Sequence, residues 1–216
     1  MNAVSAPCPA AKPASRREAR RHSRRETILD VAAQWFLEHG YDGTTMSAIA
    51  TALGGSKGTL WNYFPSKDVL FAAVIDQVTT AFREQLLLIL NPHDETETAL
   101  YRFCGELLRK TSSPEAVALY RLVIGEANRF PEVGRIFYER APLQTRILLA
   151  EYLSTAMERG RLRRDDPFRA ARELIGLCMC NSHSERLMGL RAAECEDTVA
   201  ADAEQATRVF LRAYAI

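Results

Sequence analysis

A short stretch around residue 60 combines hydrogen-bonding side chains with aromatic ones at helical spacing. On a wheel of about 100° per residue, Leu60 and Phe64 share one face, which is suited to burial. Gly58, Thr59 and Asn62 point to the opposite side. A helix that enters the major groove of DNA needs small and hydrogen-bonding groups toward the base edges. The spacing therefore predicts a helix that reads double-stranded DNA.

Two helices joined by a glycine turn are predicted to hold this face outward. The reading helix runs from about Lys57 to Phe64, because a proline follows and the residue before proline avoids the α region. The preceding helix begins at Thr44 or Thr45, whose hydroxyl can cap the first turn. Gly54-Gly55 ends that helix, since glycine enters the left-handed region without steric cost.

The segment Ser56–Lys67 reads SKGTLWNYFPSK. With the helices around it, from about Arg25 to Leu70, it resembles the DNA-binding domain of TetR/AcrR-family transcriptional regulators, whose signature is Ser-Lys-Gly-Thr-Leu-aromatic-x-Tyr-Phe-x-Ser-Lys. Two positions depart from the family pattern: Gly55 replaces a small apolar residue such as valine, and Trp61 replaces the commoner tyrosine. The wheel and the resemblance together give the DNA-binding candidates Thr45, Lys57, Gly58, Thr59, Trp61, Asn62, Tyr63 and Lys67.

Positive charge is gathered at the N-terminal end of the sequence. The chain of 216 residues has a net charge of only +1, but residues 1–25 contain seven basic residues and one acidic residue, Glu18. The remainder carries a net charge of −5. The predicted DNA-reading helix, about Lys57 to Phe64, is called the reader below. Cations beside it raise its affinity for DNA by releasing counterions from the phosphates. The charge asymmetry therefore favours a nucleic-acid partner.

The residues before the reader are predicted to form an arm and one helix. Residues 1–23 are rich in Ala, Pro, Ser and Arg and are interpreted as a disordered basic arm. Its arginines either enter a minor groove or only keep the chain in solution, and the sequence leaves both open. A helix from about Arg24 to His39, closed by Gly40, would support the reader and give a DNA-binding domain of residues 24–70.

Residues 71–216 are predicted to form a second, helical domain. A long helix from about Lys67 to Leu90 joins the two domains, so a ligand that moved its far end would move the reader. Prolines at 114, 131, 142 and 167 mark the starts of later helices, and the last two helices span about residues 167–190 and 196–214. No alternating strand pattern of useful length occurs, so the predicted fold class is all-α.

The segment from Tyr120 to Pro142 is similar to the C-terminal domain of the AefR-like subgroup of the same family. This resemblance implies that the C-terminal helices enclose a cavity for a small effector. An apolar cavity with a few polar groups would suit an apolar or aromatic compound. The expected wall residues are Phe103, Tyr120, Ile124, Phe137 and Met179.

The last two helices are expected to form the homodimer that the resemblance implies. Both carry broad apolar faces, which a four-helix packing of two such pairs would bury. A two-fold protein also suits DNA half-sites about one helical turn (~34 Å) apart. The alternative is that these faces pack within one subunit. The residues concerned are Leu174, Leu177, Cys178, Leu187 and Leu190 on one helix, and Val199, Ala203, Ala206, Val209 and Phe210 on the other.

Other chemistry finds little support in the sequence. The five cysteines show no Cys-x-x-Cys spacing and no long apolar run occurs, which indicates a cytoplasmic protein without a membrane span. Cys180 and His183 could share a metal ion, but Cys178 lies about 200° from Cys180 on a helix. We therefore expect no metal and no other cofactor. The histidines are scattered and no phosphate-binding glycine loop, HExxH or GxSxG occurs, so an enzyme is not expected.

These observations lead to one hypothesis with two alternatives. The hypothesis is a ligand-responsive repressor that binds palindromic operator DNA as a homodimer and leaves when a small effector fills its cavity. The first alternative is an activator or a broad DNA binder with the same reading helix. The second is an enzyme that binds its substrate between helices.

Overall fold

A computed structural model of the chain describes residues 16–54, 57–180, 182–190 and 195–216. Within these ranges the chain is all-α, as the sequence predicts, with no strand. The helices are α1 (Arg16–Gly43), α2 (Met46–Ala52), α3 (Lys57–Tyr63), α4 (Lys67–Ile89), α5 (Thr96–Ser112), α6 (Pro114–Glu126), α7 (Pro131–Arg140), α8 (Pro142–Glu158), α9 (Pro167–Met179), α10 (Ser182–Leu187) and α11 (Glu196–Tyr214).

Helix α1 begins earlier than the sequence predicts. Residues 16–23 are exposed helix, so the interpretation of residues 1–23 as a disordered arm is corrected for these positions, and residues 1–15 lie outside the described ranges. The physical reason is that RREARRHS contains neither glycine nor proline, and arginine and alanine are good helix formers. At its other end α1 bends at Gly40, whose φ of 72° is left-handed, where the sequence placed the helix end.

Threonines 44 and 45 fix the start of α2 in different ways. Thr45 is the N-cap, and its Oγ1 accepts a hydrogen bond from the Ala48 backbone N–H at 3.1 Å. Thr44 is buried and donates to the Gly40 carbonyl at 2.7 Å. Gly54 ends the helix with a φ of 61°, and the predicted partner in this turn, Gly55, lies outside the described residues together with Ser56.

The predicted helix over residues 167–190 is two helices. Helix α9 ends at Met179 with Cys180 as its C-cap, and α10 is held against α6 by Arg121, whose Nη2 donates to the Arg186 carbonyl at 2.6 Å. Helical periodicity continues across such a break, so the pattern alone did not locate it.

The buried apolar residues form two cores. The first core contains the buried faces of α1 to α3 and the near half of α4, together with Val123, Val133, Ile136 and Phe137 from α6 and α7. The second core contains Phe82 and Leu86 from the far half of α4 and its C-cap Leu90, with buried residues of α5, α8, α9 and α11. Helix α4 therefore belongs to both cores and links them, as the sequence predicts for the long helix.

Most residues expected at a dimer interface are buried inside one subunit. Six of them lie in the second core, where α11 packs on α5 and α9. An apolar stripe shows that a face is buried but does not say against which helix, and here the nearest partner is α5 of the same chain. The dimer prediction is thus corrected for Leu174, Cys178, Val199, Ala203, Ala206 and Phe210. Of the remaining four, Leu177, Leu187 and Val209 are half-buried and Leu190 is 75% exposed.

Candidate nucleic-acid interface and cavity

Helix α3 presents a polar face to solvent because its apolar side chains are anchored behind it. Leu60 and Phe64 are each 2% exposed and belong to the first core. Gly58 and Asn62 are exposed on the other side and Thr59 is half-buried. The three candidate base-contacting residues are therefore not sealed inside the subunit, and a major groove could approach them.

The flanking candidates differ in how they are placed. The Trp61 side chain is 38% exposed and Tyr63 is half-buried, so both rings lie at the edges of the outer face. Thr45 is exposed at the start of α2, and its hydroxyl retains a proton to donate while its oxygen caps the helix. Lys57 begins α3, but its side chain lies outside the described part of the structure.

Lys67 makes contacts that sequence reasoning did not anticipate. Its Nζ donates to the Tyr41 carbonyl at 2.7 Å and lies 4.1 Å from the centroid of the Tyr41 ring. Burial lowers the pKa of Lys67, and burial also raises the pKa of Tyr41 to about 12. A phosphate contact by Lys67 would have to form beside or in place of these contacts, which tie the start of α4 to the end of α1.

The early turns of α1 form a basic surface beside α3. Arg21 lies 5.9 Å from the Tyr63 ring centroid and Arg25 lies 5.5 Å from that of Phe64. Arg24 Nη2 donates to the Leu53 carbonyl at 3.4 Å. A cleft of about 350 Å³ separates this part of α1 from Tyr63. The run of arginines was the sequence signal for this surface, but its interpretation as a disordered arm hid the helical geometry.

A second site is a cavity of about 140 Å³ between the two cores. The first core contributes Phe36 and Phe137 to its walls, and the second core contributes Phe82 and Leu107. Ala33 and Leu37 of α1 also line it. The cavity thus touches helix α1, which supports the reading helix, as well as the C-terminal helices.

Three of the five predicted wall residues line this cavity: Tyr120, Phe137 and Met179. The other two do not and are corrected. Phe103 is fully buried within the second core, and Ile124 is 61% exposed on the outer face of α6. Periodicity marks both as apolar, but only the packing of the helices decides which apolar side chains border an opening. Tyr120 contacts Phe137 edge to face at 4.9 Å between ring centroids, and burial raises its pKa.

Charged side chains also line the cavity, and none of them was predicted. They are Arg83, Lys110, Glu115 and Arg146. Arg83 is paired with Asp76 at 3.9 Å and donates to the Arg140 carbonyl at 3.2 Å. No local motif identifies such residues, because they come from four different helices and meet only in the folded chain.

The last turn of α1 is joined to the end of α6 and the residues after it by polar contacts. Arg129 Nη1 pairs with Asp42 Oδ2 at 2.5 Å, and the Asp42 backbone N–H donates to Glu126 Oε1 at 3.2 Å. A Cβ added to Gly40 would come within 2.8 Å of the same Glu126 oxygen, which could move aside, so it is the left-handed φ of 72° that requires glycine here.

Comparison with known families agrees with this arrangement of two linked parts. The family described as bacterial regulatory proteins, tetR family, matches residues 28–74. The AefR-like transcriptional repressor C-terminal domain matches residues 98–216, which is more than half of the chain. The chain belongs to the TetR family. TetR-family proteins are transcriptional regulators and not enzymes, so this chain is a helix-turn-helix regulator.

Individual TetR-family relatives show how far the similarity extends. The flavonoid-responsive regulator FrrA is 32% identical, with a TM-score of 0.76 over 90% of this chain and 98% of that one. A TetR-family regulator from Mesorhizobium loti is 27% identical, with a TM-score of 0.78 over 91% and 99%. The regulator RutR of Escherichia coli is 36% identical over 116 residues, 46% of this chain, and the match spans 55% of RutR.

None of the helices described in this TetR-family chain is long and apolar enough to cross a membrane.

Proposed function

We propose that this regulator is a ligand-responsive repressor that binds palindromic operator DNA in the cytoplasm as a homodimer. A small apolar or aromatic effector enters the cavity between the cores and releases the DNA. Thr45, Gly58, Thr59, Trp61, Asn62 and Tyr63 contact the operator, with Lys57 and Lys67 at the phosphates. The observation that carries this proposal is that one cavity is walled by both cores.

The position of the cavity gives the effector a mechanical route to the reader. Phe36 of α1 borders the cavity, and the same helix packs Ile28 and Ala32 against the core that anchors α3. An effector shifts the DNA equilibrium only if it prefers the conformation in which the two reading helices of the dimer are wrongly spaced. Interiors are close-packed, so a molecule wedged between the cores changes their relative position rather than only local side chains.

Support for a small aromatic effector comes from the size and lining of the cavity and from one relative. Cavities of roughly 150 Å³ lined by apolar side chains bind a single benzene ring, and this one measures about 140 Å³. The similar regulator FrrA is flavonoid-responsive by name, and flavonoids are aromatic. We assign the same broad class to this chain and no particular compound.

The homodimer is proposed through the outward sides of α9 to α11, residues 167–190 and 196–214. Phe168 is 40% exposed, and Met188 and Leu190 are 72% and 75% exposed. Burying an apolar side chain of this size stabilises an assembly by roughly 1.5–3 kcal/mol. A homodimer would also give the two half-sites that a palindromic operator requires.

The test is to select DNA from a random library with the purified protein and then to screen compounds for release. We expect one palindromic site with half-sites separated by one helical turn or a multiple of it, bound by two chains per site in light scattering. Recovery of unrelated sequences would favour the broad DNA binder, for which the arginine-rich start of α1 is the supporting observation. Tighter DNA binding with a compound would contradict effector-driven release.

A further inference from the structure

The cavity between the cores carries more positive than negative charge. Its lining includes Arg83, Lys110 and Arg146, against the single carboxylate of Glu115. Most of the other lining residues are apolar, and charges interact more strongly in such surroundings than in water. A neutral ligand would leave the excess positive charge uncompensated.

Arg146 of α8 is held in place but pairs with no carboxylate in the part of the chain that the structure describes. Its Nη1 donates to the Tyr138 hydroxyl at 3.2 Å, and its guanidinium lies 5.9 Å and 5.5 Å from the ring centroids of Tyr138 and Phe168. Its Nε–H is buried and has no hydrogen-bond acceptor among the described residues. A buried donor without an acceptor destabilises the chain, and a small rotation of the guanidinium toward the cavity would let a ligand oxygen supply the missing partner.

The other two cations of the cavity differ in how their charges are balanced. Lys110 Nζ donates to the Val78 carbonyl at 3.0 Å, which is a neutral acceptor. The charge of Arg83 is already offset by Asp76. Within the described residues, Arg146 and Lys110 therefore exceed the Glu115 carboxylate by one positive charge.

We propose that the effector is a small aromatic carboxylate whose anionic group binds Arg146, while Lys110 adds a favourable potential. This inference rests on the proposed function for its effect on DNA and deepens it by naming the chemical class of the effector. A guanidinium donates two parallel hydrogen bonds to a carboxylate. The apolar walls accommodate the ring, so the two parts of the ligand meet the two kinds of surface that the cavity offers.

The experiment compares acids with amides of the same shape on the full-length protein. The probe pairs are benzoate and benzamide, cinnamate and cinnamamide, and 2-naphthoate and 2-naphthamide, each titrated by calorimetry without DNA. We expect at least one acid to bind more tightly than its amide. Arg146→Gln should weaken binding of that acid by roughly 10–100-fold, the range expected when a hydrogen bond to a charged group is removed, and leave the amide unchanged.

Two further variants distinguish removal of the guanidinium from damage to the fold. Arg146→Lys keeps the charge and should retain part of the preference for the acid. Arg102→Gln removes an exposed arginine of α5 outside the cavity and should change nothing. An added acid should also shift the Nε–H resonance of Arg146 in an arginine-selective NMR spectrum of the wild type.

Three results would overturn the inference. These are binding of no acid, equal affinity for acid and amide, or equal weakening of both by Arg146→Gln. Failure of the proposed function would look different, because a chain that prefers the acids but selects no operator keeps the ligand site and loses the repressor role. A chain that is released from its operator by neutral compounds alone keeps the repressor role and loses the carboxylate preference.

Discussion

The two cores of this chain differ in how far apart in the sequence their residues lie. The first core is mostly local, since the buried residues from Ile28 to Ile75 supply it, with four additions from α6 and α7. The second core is assembled from helices far apart in sequence, such as α5 and α11, which pack on each other. A domain boundary at residue 70 separates the DNA-binding motif from the C-terminal sequence. It does not separate the cores, because residues of α6 and α7 pack in the first core.

This difference bears on regulation. Val123, Val133 and Phe137 pack with the DNA-binding helices, and α6 and α7 also pack on α5, α8 and α10. These two helices therefore connect the two cores beside α4. An effector bound in the cavity, as proposed above, would act on the reading helix through α6 and α7 as well as through the long helix.

The largest expected effect concerns the independence of the two cores. Phe71 is fully buried and meets the Phe36 and Tyr41 rings edge to face at 5.1 Å and 5.4 Å between centroids. Phe71→Ala should lower the free energy of unfolding by about 3–5 kcal/mol. In urea, tryptophan fluorescence follows the DNA-binding part, which holds both tryptophans, Trp35 and Trp61, and far-UV circular dichroism follows all helices.

The matched variant for the second core is Phe103→Ala, which also removes a fully buried ring. It should displace the circular dichroism transition more than the fluorescence transition, and Phe71→Ala should do the reverse. If both probes move together in both variants, the two cores unfold as one cooperative unit and the contrast between them has no energetic meaning.

The next effect is a loss of operator binding with no change in the stability of the fold. Asn62 is exposed, so Asn62→Ala should leave the unfolding midpoint unchanged. It should weaken operator binding by roughly 1–3 kcal/mol if the amide contacts a base, as measured by fluorescence anisotropy on the selected site and on scrambled DNA. Gln85→Ala removes an exposed amide from the far half of α4 and serves as the control. Equal weakening on both DNAs would remove Asn62 from the base contacts.

A smaller effect is expected from the arginines at the start of α1. Arg17 and Arg20 are exposed, and replacing both by glutamine should reduce the slope of log affinity against log salt by about 0.9 for each phosphate that is no longer neutralised. The decrease in affinity should be similar for specific and scrambled DNA. Arg102→Gln with Arg164→Gln removes two exposed arginines of the C-terminal part and should leave the slope unchanged. An unaltered slope in the first pair would leave this helix without a role at the phosphates.

The smallest effect is a pH dependence from a surface ion pair between α5 and α11. Arg109 donates to both carboxylate oxygens of Glu196 at 2.9–3.1 Å, and these bonds lower the pKa of Glu196 from its ordinary value of 4.5. A lowered pKa in the folded state stabilises the fold above the unfolded value and ceases to do so as the pH falls through the folded value. The pair is exposed, so its contribution is small.

Thermal unfolding followed from about pH 7 to about pH 3 checks this linkage. Glu196→Gln should flatten the pH dependence of the melting temperature below about pH 4.5, and Arg109→Gln should have the same effect because it removes the other half of the pair. A steep acid dependence that persists in both variants would show that other carboxylates control it.

Local features of the sequence were sufficient for the helices and for the orientation of the reader. The predicted helix start at proline 114 was confirmed, and the Ser113 hydroxyl caps α6 by accepting from the Ala116 N–H at 3.2 Å. The outward face of α3 followed from the spacing of Leu60 and Phe64. Such features depend on residues within one or two turns of each other, so they can be derived without the rest of the chain.

What the sequence by itself determined is therefore an all-α regulator with a capped, outward-facing reading helix, because caps, turns and helical spacing act over a few residues. Only the tertiary structure decided which apolar faces meet. In the folded chain Ala203 and Phe210 are buried inside the subunit. Phe103 and Ile124 do not line the cavity, whereas Arg146 does. A helical stripe specifies that a face is buried, whereas its partner depends on the packing of residues distant in sequence.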